Sequence, residues 1–191
     1  MDAAAQYAFA YALTTTAGVR SLLALAAVAV AAHVHWMHPP AGFAWLGSAT
    51  AMWILIGVAV VELLADKVPV LDHAVHFVQI AGKPAAGAIL VGGSVHAQSH
   101  ELLIGLMVLG ALNALGIHTA IASVRGASTM TTGGAGNPFV SVVEDAGAIG
   151  SLIIAFVAPF AAALLAVAFT IALILLARAA YHRMRAARAP T

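Results

Sequence analysis

Long stretches without a charged residue recur along the chain. Residues 21–61, 102–124 and 146–177 contain no Asp, Glu, Lys or Arg. Each stretch exceeds the roughly 20 apolar residues that a helix needs to cross the hydrocarbon core of a bilayer. The apolar residues do not alternate with polar ones, as they would over the about 10 residues of a membrane barrel strand. The pattern therefore predicts an all-α, polytopic bundle of transmembrane helices.

Proline and glycine divide this apolar sequence into about six predicted spans. Proline removes an amide donor and clashes with the preceding turn, so helices end before Pro39 and before Pro159. The Gly-rich run before Pro138 cannot hold a helix and favours a new helix that starts at the proline. The predicted spans are 3–35, 43–65, 71–95, 101–124, 138–158 and 159–181.

The first predicted span is too long for one straight crossing. At 1.5 Å per residue, its 33 residues would reach about 50 Å, well beyond the hydrocarbon core. Residues 14–18, three threonines followed by Ala and Gly, are mostly poor helix formers. We expect a break or a strong tilt within this run, with a re-entrant first half as one option. Broken or re-entrant helices are therefore part of the predicted fold.

The two halves of the chain resemble each other at a few polar positions. Residues 14–20 match residues 119–125 at a threonine, an alanine, a valine and an arginine, and Glu62 and Glu144 each follow two valines. Halves 1–98 and 99–185 would hold three spans each and would be inverted in the membrane, as in many transporters. Chance is the alternative, because Ala- and Val-rich sequences match easily.

Composition agrees with a membrane protein and limits its partners. Of the 191 residues, 63% are hydrophobic and 8% are charged, whereas soluble domains carry about 25% charged residues. Lipid must therefore solvate most of the outside, and the net charge of +1 gives no indication of a nucleic-acid partner. We expect one transmembrane domain over 1–191, with its basic tail 183–191 in the cytoplasm. A homo-oligomer is compatible with this sequence.

Arg20 is the most informative charged residue, because apolar sequence flanks it on both sides. A charge at the bilayer centre costs about 2.5–3.5 kcal/mol on insertion scales, and a carboxylate, backbone carbonyls or water must offset that cost. Arg125 holds the matching position in the second half. The alternatives to a functional arginine are a structural ion pair and a side chain that reaches the head groups. We favour function, because intramembrane ionisable groups are functional by default.

Four acidic residues are the predicted counterparts of the arginines. Glu144 and Asp145 are adjacent and point about 100° apart on a helix, so they face different partners. One could pair with an arginine while the other carries a proton or coordinates a cation. Equally, both could stabilise the first turns of a helix through its dipole. Glu62 and Asp66 share a helix face at i, i+4, with an interfacial position as their alternative role.

Further polar candidates lie within or beside the predicted spans. Lys83 precedes Pro84, which we expect to break the third span near its centre. His118 could relay a proton or form one inter-helix hydrogen bond, and Asn113 lies in the same span. A Gly-rich loop could present amides to an anion, although most such loops are only turns. Its candidate residues are Thr131, Thr132, Gly133, Gly134 and Asn137.

Nine histidines raise the question of a metal site. His96 and His100 have a helical spacing that can ligate a metal. Almost all the histidines lie at predicted span ends, where imidazole rings are comfortable at the membrane interface. We therefore predict no metal site and no cofactor.

Three segments carry a family resemblance: residues 17–20 (AGVR), 62–72 (ELLADKVPVLD) and 131–145 (TTGGAGNPFVSVVED). They resemble a family of small bacterial membrane proteins named domain of unknown function 4126, and the third segment is the most specific. The resemblance covers nearly the whole chain. It implies a protein of several spans in the bacterial inner (cytoplasmic) membrane, and it carries over no activity.

These features lead to a functional hypothesis: a small transporter or channel for an ion or a small polar solute, with proton coupling as an option. The arginines and acids would line a central cavity, and membrane lipids and the solute would be the partners. Two alternatives stay open. An intramembrane enzyme acting on lipid or isoprenoid substrates would need a nucleophile–base pair or a His-Glu-x-x-His motif, which the chain lacks. A structural or assembly subunit would show paired charges and no cavity.

Overall fold

A computed structural model describes the backbone of residues 1–65 and 69–187, and the side chains of residues 1–64, 79–179 and 181–182. Over this part of the chain the fold is all-helical, as predicted, and contains no strand. A short 3-10 helix, Ala41–Gly47, precedes the third of seven α-helices. The α-helices are α1 (Ala3–Val19), α2 (Ser21–His33), α3 (Ala49–Ala65), α4 (Pro69–Ser94), α5 (His100–Thr132), α6 (Asn137–Val157) and α7 (Pro159–Ala187).

Several of these helices are suited to crossing a membrane. Within the described residues, three are long and apolar enough by themselves: His100–Thr132, Asn137–Val157 and Pro159–Ala179. The 3-10 helix and Ala49–Leu64 of α3 meet at a 66° bend and make a fourth span if they cross together. The chain is therefore an integral membrane protein with three or four candidate spans, while the six spans and the inverted repeat stay predictions.

The first long segment is interrupted at Arg20, where α1 ends and α2 begins. The backbone of Arg20 is extended, with φ −135° and ψ 93°. Our expectation of a break within residues 14–18 was wrong by two residues, because the threonines there are helical. Their hydroxyls bond back to carbonyls of the preceding turn, Thr14 and Thr15 to Tyr11 and Thr16 to Ala12, which satisfies them inside the helix.

One other predicted interruption is absent, and another begins two residues later than expected. Helix α4 continues through Pro84, so the expected break at the Lys83–Pro84 pair was wrong. Proline at this position removes only one helical hydrogen bond, and packing against neighbouring helices allows a membrane helix to tolerate that loss. Helix α5 likewise runs through Thr131 and Thr132, whose hydroxyls bond to carbonyls one turn earlier. The chain turns only at Gly133, whose φ of +61° is left-handed.

Helix α1 lies at the centre of the fold, in contact with α4, α5, α6 and α7. Most of its residues are buried, whereas a helix on the surface of a soluble protein exposes its polar face to water. The outer faces of α6 and α7 expose large apolar side chains such as Ile153 and Leu164, which a bilayer would cover. The interior instead contains polar and charged groups, namely Thr14, Thr15, Thr16, Arg20, Ser21, Glu62, Lys83, Ser94, His118 and Ser141.

Candidate functional site

The interruption between α1 and α2 directs Arg20 into the interior, where only 1% of the residue is exposed. Its Nε donates to Oδ1 of Asp145 at 2.7 Å, and its Nη2 donates to Oγ of Ser141 at 3.1 Å. The same nitrogen lies 3.8 Å from Oε2 of Glu144. All three partners lie on α6. The predicted cost of placing Arg20 at membrane depth is thus offset by carboxylates and a hydroxyl.

Glu62 of α3 occupies the start of α2. Its carboxylate accepts from the backbone amides of Ser21, Leu22 and Leu23 at 3.1, 3.0 and 3.3 Å, and from the Ser21 hydroxyl at 3.0 Å. The first amides of any helix lack partners within it, and the helix dipole favours negative charge there. Glu62, only 4% exposed, therefore satisfies the amides that the interruption leaves open.

The Lys83 side chain of α4 lies at the other helix end, the C-terminus of α1. Its Nζ donates to the carbonyl oxygens of Gly18 and Val19, both at 3.0 Å, at the C-terminal end of α1. Positive charge is favoured at that end of a helix dipole. A buried cation and a buried anion thus satisfy the two helix ends that meet at Arg20.

A second ion pair joins α5 to α6. Arg125 donates from Nε to Oε1 of Glu144 at 3.0 Å, and its Nη2 also bonds to Oε2. The Arg125 side chain is 25% exposed and that of Glu144 12%, so this pair is more accessible than Arg20. Glu144 lies between the two arginines, while its neighbour Asp145 contacts Arg20.

Arg20, Lys83, Arg125 and Glu144 border a cavity of about 210 Å³. Liquid water occupies about 30 Å³ per molecule, so the cavity has room for several waters or a small solute. Among the described side chains, three basic groups and one carboxylate belong to its wall, together with amide, hydroxyl and imidazole groups. The lining residues are Val19, Arg20, Gln79, Lys83, His118, Ile121, Ala122, Arg125, Gly126, Thr129, Asn137 and Glu144.

The structure brings six of the predicted site residues to the cavity wall: Arg20, Lys83, His118, Arg125, Asn137 and Glu144. Asp145 and Glu62 do not line it and instead bond to Arg20 and to the start of α2. Asn113 lies elsewhere, where its Nδ2 donates to the hydroxyls of Thr14 and Thr15 at 2.9 and 3.0 Å. Asp66 and the tail 188–191 lie outside the described residues, as do the side chains of 183–187.

The predicted polar loop does not act as one unit. Within it only Asn137 reaches the cavity, and its Nδ2 donates to the hydroxyl of Thr129 at 2.9 Å. Its Oδ1 is buried without a hydrogen-bond partner. The other four candidates, Thr131, Thr132, Gly133 and Gly134, do not line the cavity.

The sequence reasoning missed two polar contributors, namely Ser141 and Gln79. Ser141 precedes Asp145 by four residues, so both lie on one face of α6. That spacing was visible in the sequence and could have identified Ser141. Gln79 reaches the cavity from α4, which no local pattern indicates, and Thr129, at the start of the hydroxyl-rich run, reaches it from α5. Among the described residues, no group of three or more His, Cys, Asp or Glu could hold a metal ion.

Comparison with known proteins adds a family and no activity. A family model described as "Domain of unknown function (DUF4126)" matches residues 7–179. No curated protein and no solved structure matches the chain.

Proposed function

We propose that this chain, which belongs to the family described as a domain of unknown function (DUF4126), is a small membrane transporter for an anionic solute. The solute would bind in the central cavity and cross the membrane with proton coupling. The observation that carries the proposal is the cavity of about 210 Å³ whose wall contains Arg20, Lys83 and Arg125. Cations at membrane depth beside a space large enough for water are characteristic of a permeation or transport pathway.

The interrupted helix supports transport in particular. Many secondary transporters bind their substrate and coupling ion at interrupted helices, where half-helix ends present amides and carbonyls. In this chain the Glu62 carboxylate accepts hydrogen bonds from the amides at the start of α2, and the Lys83 ammonium donates to the last carbonyls of α1. Arg20 between them lines the cavity. A solute that binds Arg20 would therefore act directly on the element that such proteins move.

Glu144 is the group best placed to couple the solute to protons. It bonds to Arg125, lies 3.8 Å from Arg20, and lines the cavity. An entering anion would compete with Glu144 for the arginines. A carboxylate that loses a cationic partner in a low-dielectric site favours its protonated form. His118, which also lines the cavity, offers a second group that can exchange a proton.

We extend the proposal to the architecture that transport would need. Six spans arranged as inverted halves 1–98 and 99–185 would place the interrupted helix in one half and Arg125 and Glu144 in the other. The basic tail would lie in the cytoplasm, and the protein in a bacterial inner membrane. The wall of the cavity, drawn from both halves, would then change as the halves move against each other.

The test is uptake of inorganic phosphate into proteoliposomes, measured with and without an imposed pH gradient. We expect uptake by the wild type that depends on the gradient, and loss of that uptake in the Arg20→Ala, Glu144→Gln double variant. A matched control is Arg178→Ala, Glu101→Gln, which removes the same charges at exposed positions outside the cavity. Equal uptake by the wild type and the cavity double variant would refute the proposal.

A structural or assembly subunit is the second candidate function. The observation that favours it is the pairing of Arg20 with Asp145 and of Arg125 with Glu144. Paired charges can hold helices together without any solute. The same assay separates the two functions, because a structural subunit would mediate no uptake with its site intact.

A further inference from the structure

A second and larger space lies beside the polar cavity. It is a groove of about 450 Å³ between α1, α6 and α7. Its wall is mostly apolar, with three hydroxyl groups contributed by Thr15, Thr16 and Ser151. Three of its apolar lining residues, Val143, Leu165 and Phe169, are exposed on the outside of the bundle. Because α6 and α7 are candidate membrane spans, the groove would face the hydrocarbon of the bilayer if both helices cross it.

The groove and the cavity share part of their walls. Val19 and Glu144 line both spaces. On one side of these two residues lie Arg20, Lys83 and Arg125, and on the other lie the apolar residues of α6 and α7. The polar cavity and the apolar groove therefore border each other across Val19 and Glu144.

We propose that the two spaces together bind a lipid with one hydrocarbon chain in the groove and a phosphomonoester head in the cavity. This inference rests on the anion-binding cavity of the proposed function and adds the class of amphiphile that the cavity admits. In the complex, the hydrocarbon chain would lie in the groove, and the head would lie on the cavity side of Val19 and Glu144.

The hydrogen-bond donors of the cavity wall favour a phosphomonoester over a carboxylate or a zwitterionic head. Among the described side chains, three basic groups and one carboxylate line the wall, while the carboxylates of Asp145 and Glu62 lie behind it beside Arg20 and Lys83, so the wall offers donors more than net charge. A phosphomonoester carries about −1.5 to −2 charges near neutral pH and has three acceptor oxygens. Arg, Lys, Asn and Thr side chains at the wall are the donors that phosphate oxygens use. The trimethylammonium group of a choline head accepts no hydrogen bond from these donors.

Binding of the hydrocarbon chain in the groove can be tested by substitution at two glycines without disturbing the fold. Gly147 and Gly150 line the groove, and a Cβ atom added at either would meet no other atom within 4 Å. Gly150→Leu therefore places a large side chain in the groove without a clash around its Cβ atom. Leucine also has a higher helix propensity than glycine. Gly105→Leu is the matched control, since Gly105 is equally open and lies on α5 outside the groove.

The experiment is equilibrium binding of oleoyl lysophosphatidic acid to the full chain in a nonionic detergent, with oleoyl lysophosphatidylcholine as the comparison. The two probes carry the same chain and differ in the head. We expect the wild type to bind the phosphomonoester about tenfold more tightly or better. Gly150→Leu should weaken its binding by about tenfold while Gly105→Leu does not. Arg125→Gln should abolish the preference between the heads.

Each outcome decides the inference separately from the proposed function. Equal binding of the two probes by the wild type, or equal binding by the two leucine variants, overturns the lipid site even if phosphate uptake is observed. Discrimination by head and by Gly150→Leu supports the lipid site even if inorganic phosphate is not transported. Competition by free phosphate in the wild type would show that both ligands use the same cavity.

Discussion

Glu62 accepts a hydrogen bond from the backbone amide of Ser21 at 3.1 Å, although the two residues lie 41 positions apart in the chain. The bond belongs to a set that replaces a local cap, because Arg20 at the N-cap position forms no side-chain cap of its own. With Lys83 on the carbonyls of α1, charged groups from α3 and α4 hold both ends of the interruption. The gap at Arg20 is therefore a stabilised part of the fold.

This arrangement predicts that Glu62→Ala is strongly destabilising. The substitution leaves the first amides of α2 without their acceptor and removes a carboxylate that attracts the buried Lys83. Removing one partner of a buried charge pair costs about 3–5 kcal/mol. Denaturant unfolding in a mild detergent measures the effect. Arg178→Ala, at an exposed position, should change stability by less than about 0.5 kcal/mol, and similar values for both variants would contradict the proposed cap.

Substitutions in the ion pair between Arg20 and Asp145 should distinguish its contribution to stability from its contribution to transport. Arg20→Met leaves Asp145 without the guanidinium that bonds to it, and we expect a loss of about 3–5 kcal/mol. The Arg20→Met, Asp145→Leu double variant should recover part of that loss, because an apolar pair replaces a buried ionic one. Phosphate uptake should remain absent in the double variant. Recovery of both stability and uptake would show that Arg20 serves the fold alone.

Helices α4 and α5 approach closely at two glycines. A Cβ atom added at Gly87 would clash with the carbonyl oxygen of Gly110, a backbone atom that cannot yield easily. Gly87→Leu should therefore destabilise the protein by at least about 1–3 kcal/mol through overpacking. Gly105→Leu adds the same side chain to α5 where space is open. Equal thermal unfolding temperatures for the two variants in detergent would argue against this close contact.

Asn113 should act on stability and leave transport unchanged. Its amide bonds to the hydroxyls of Thr14 and Thr15 and does not line the cavity. Hydrogen bonds between membrane helices contribute about 1 kcal/mol, so Asn113→Leu should lower stability by about that amount. Phosphate uptake per folded protein should match the wild type. A selective loss of uptake in a fully folded Asn113→Leu variant would contradict this prediction and show that Asn113 takes part in transport.

Local sequence properties determined the class of the protein and the approximate ends of its helices. Hydrophobic runs without charge require lipid whatever their neighbours are, because transfer of apolar residues depends on composition and length. The cost of an isolated arginine is similarly local, which is why Arg20 could be identified from its flanking residues. The resemblance carried by residues 131–145 agreed with the family match over residues 7–179. Local reasoning was less successful with threonine and proline, since Thr14, Thr15 and Thr16 bond back to their own helix and α4 continues through Pro84.

Only the tertiary structure decided what the charged residues do. Lys83 reaches the carbonyl of Gly18 from 65 positions away, and Arg20 reaches Asp145 from 125 positions away. No periodicity along the chain encodes such pairs, because each depends on how separate helices pack against one another. The sequence therefore showed which groups would be costly to bury. The packing of α1 against α4, α5 and α6 determined which of them stabilise the helix interruption, which line the cavity, and that Lys83 does both.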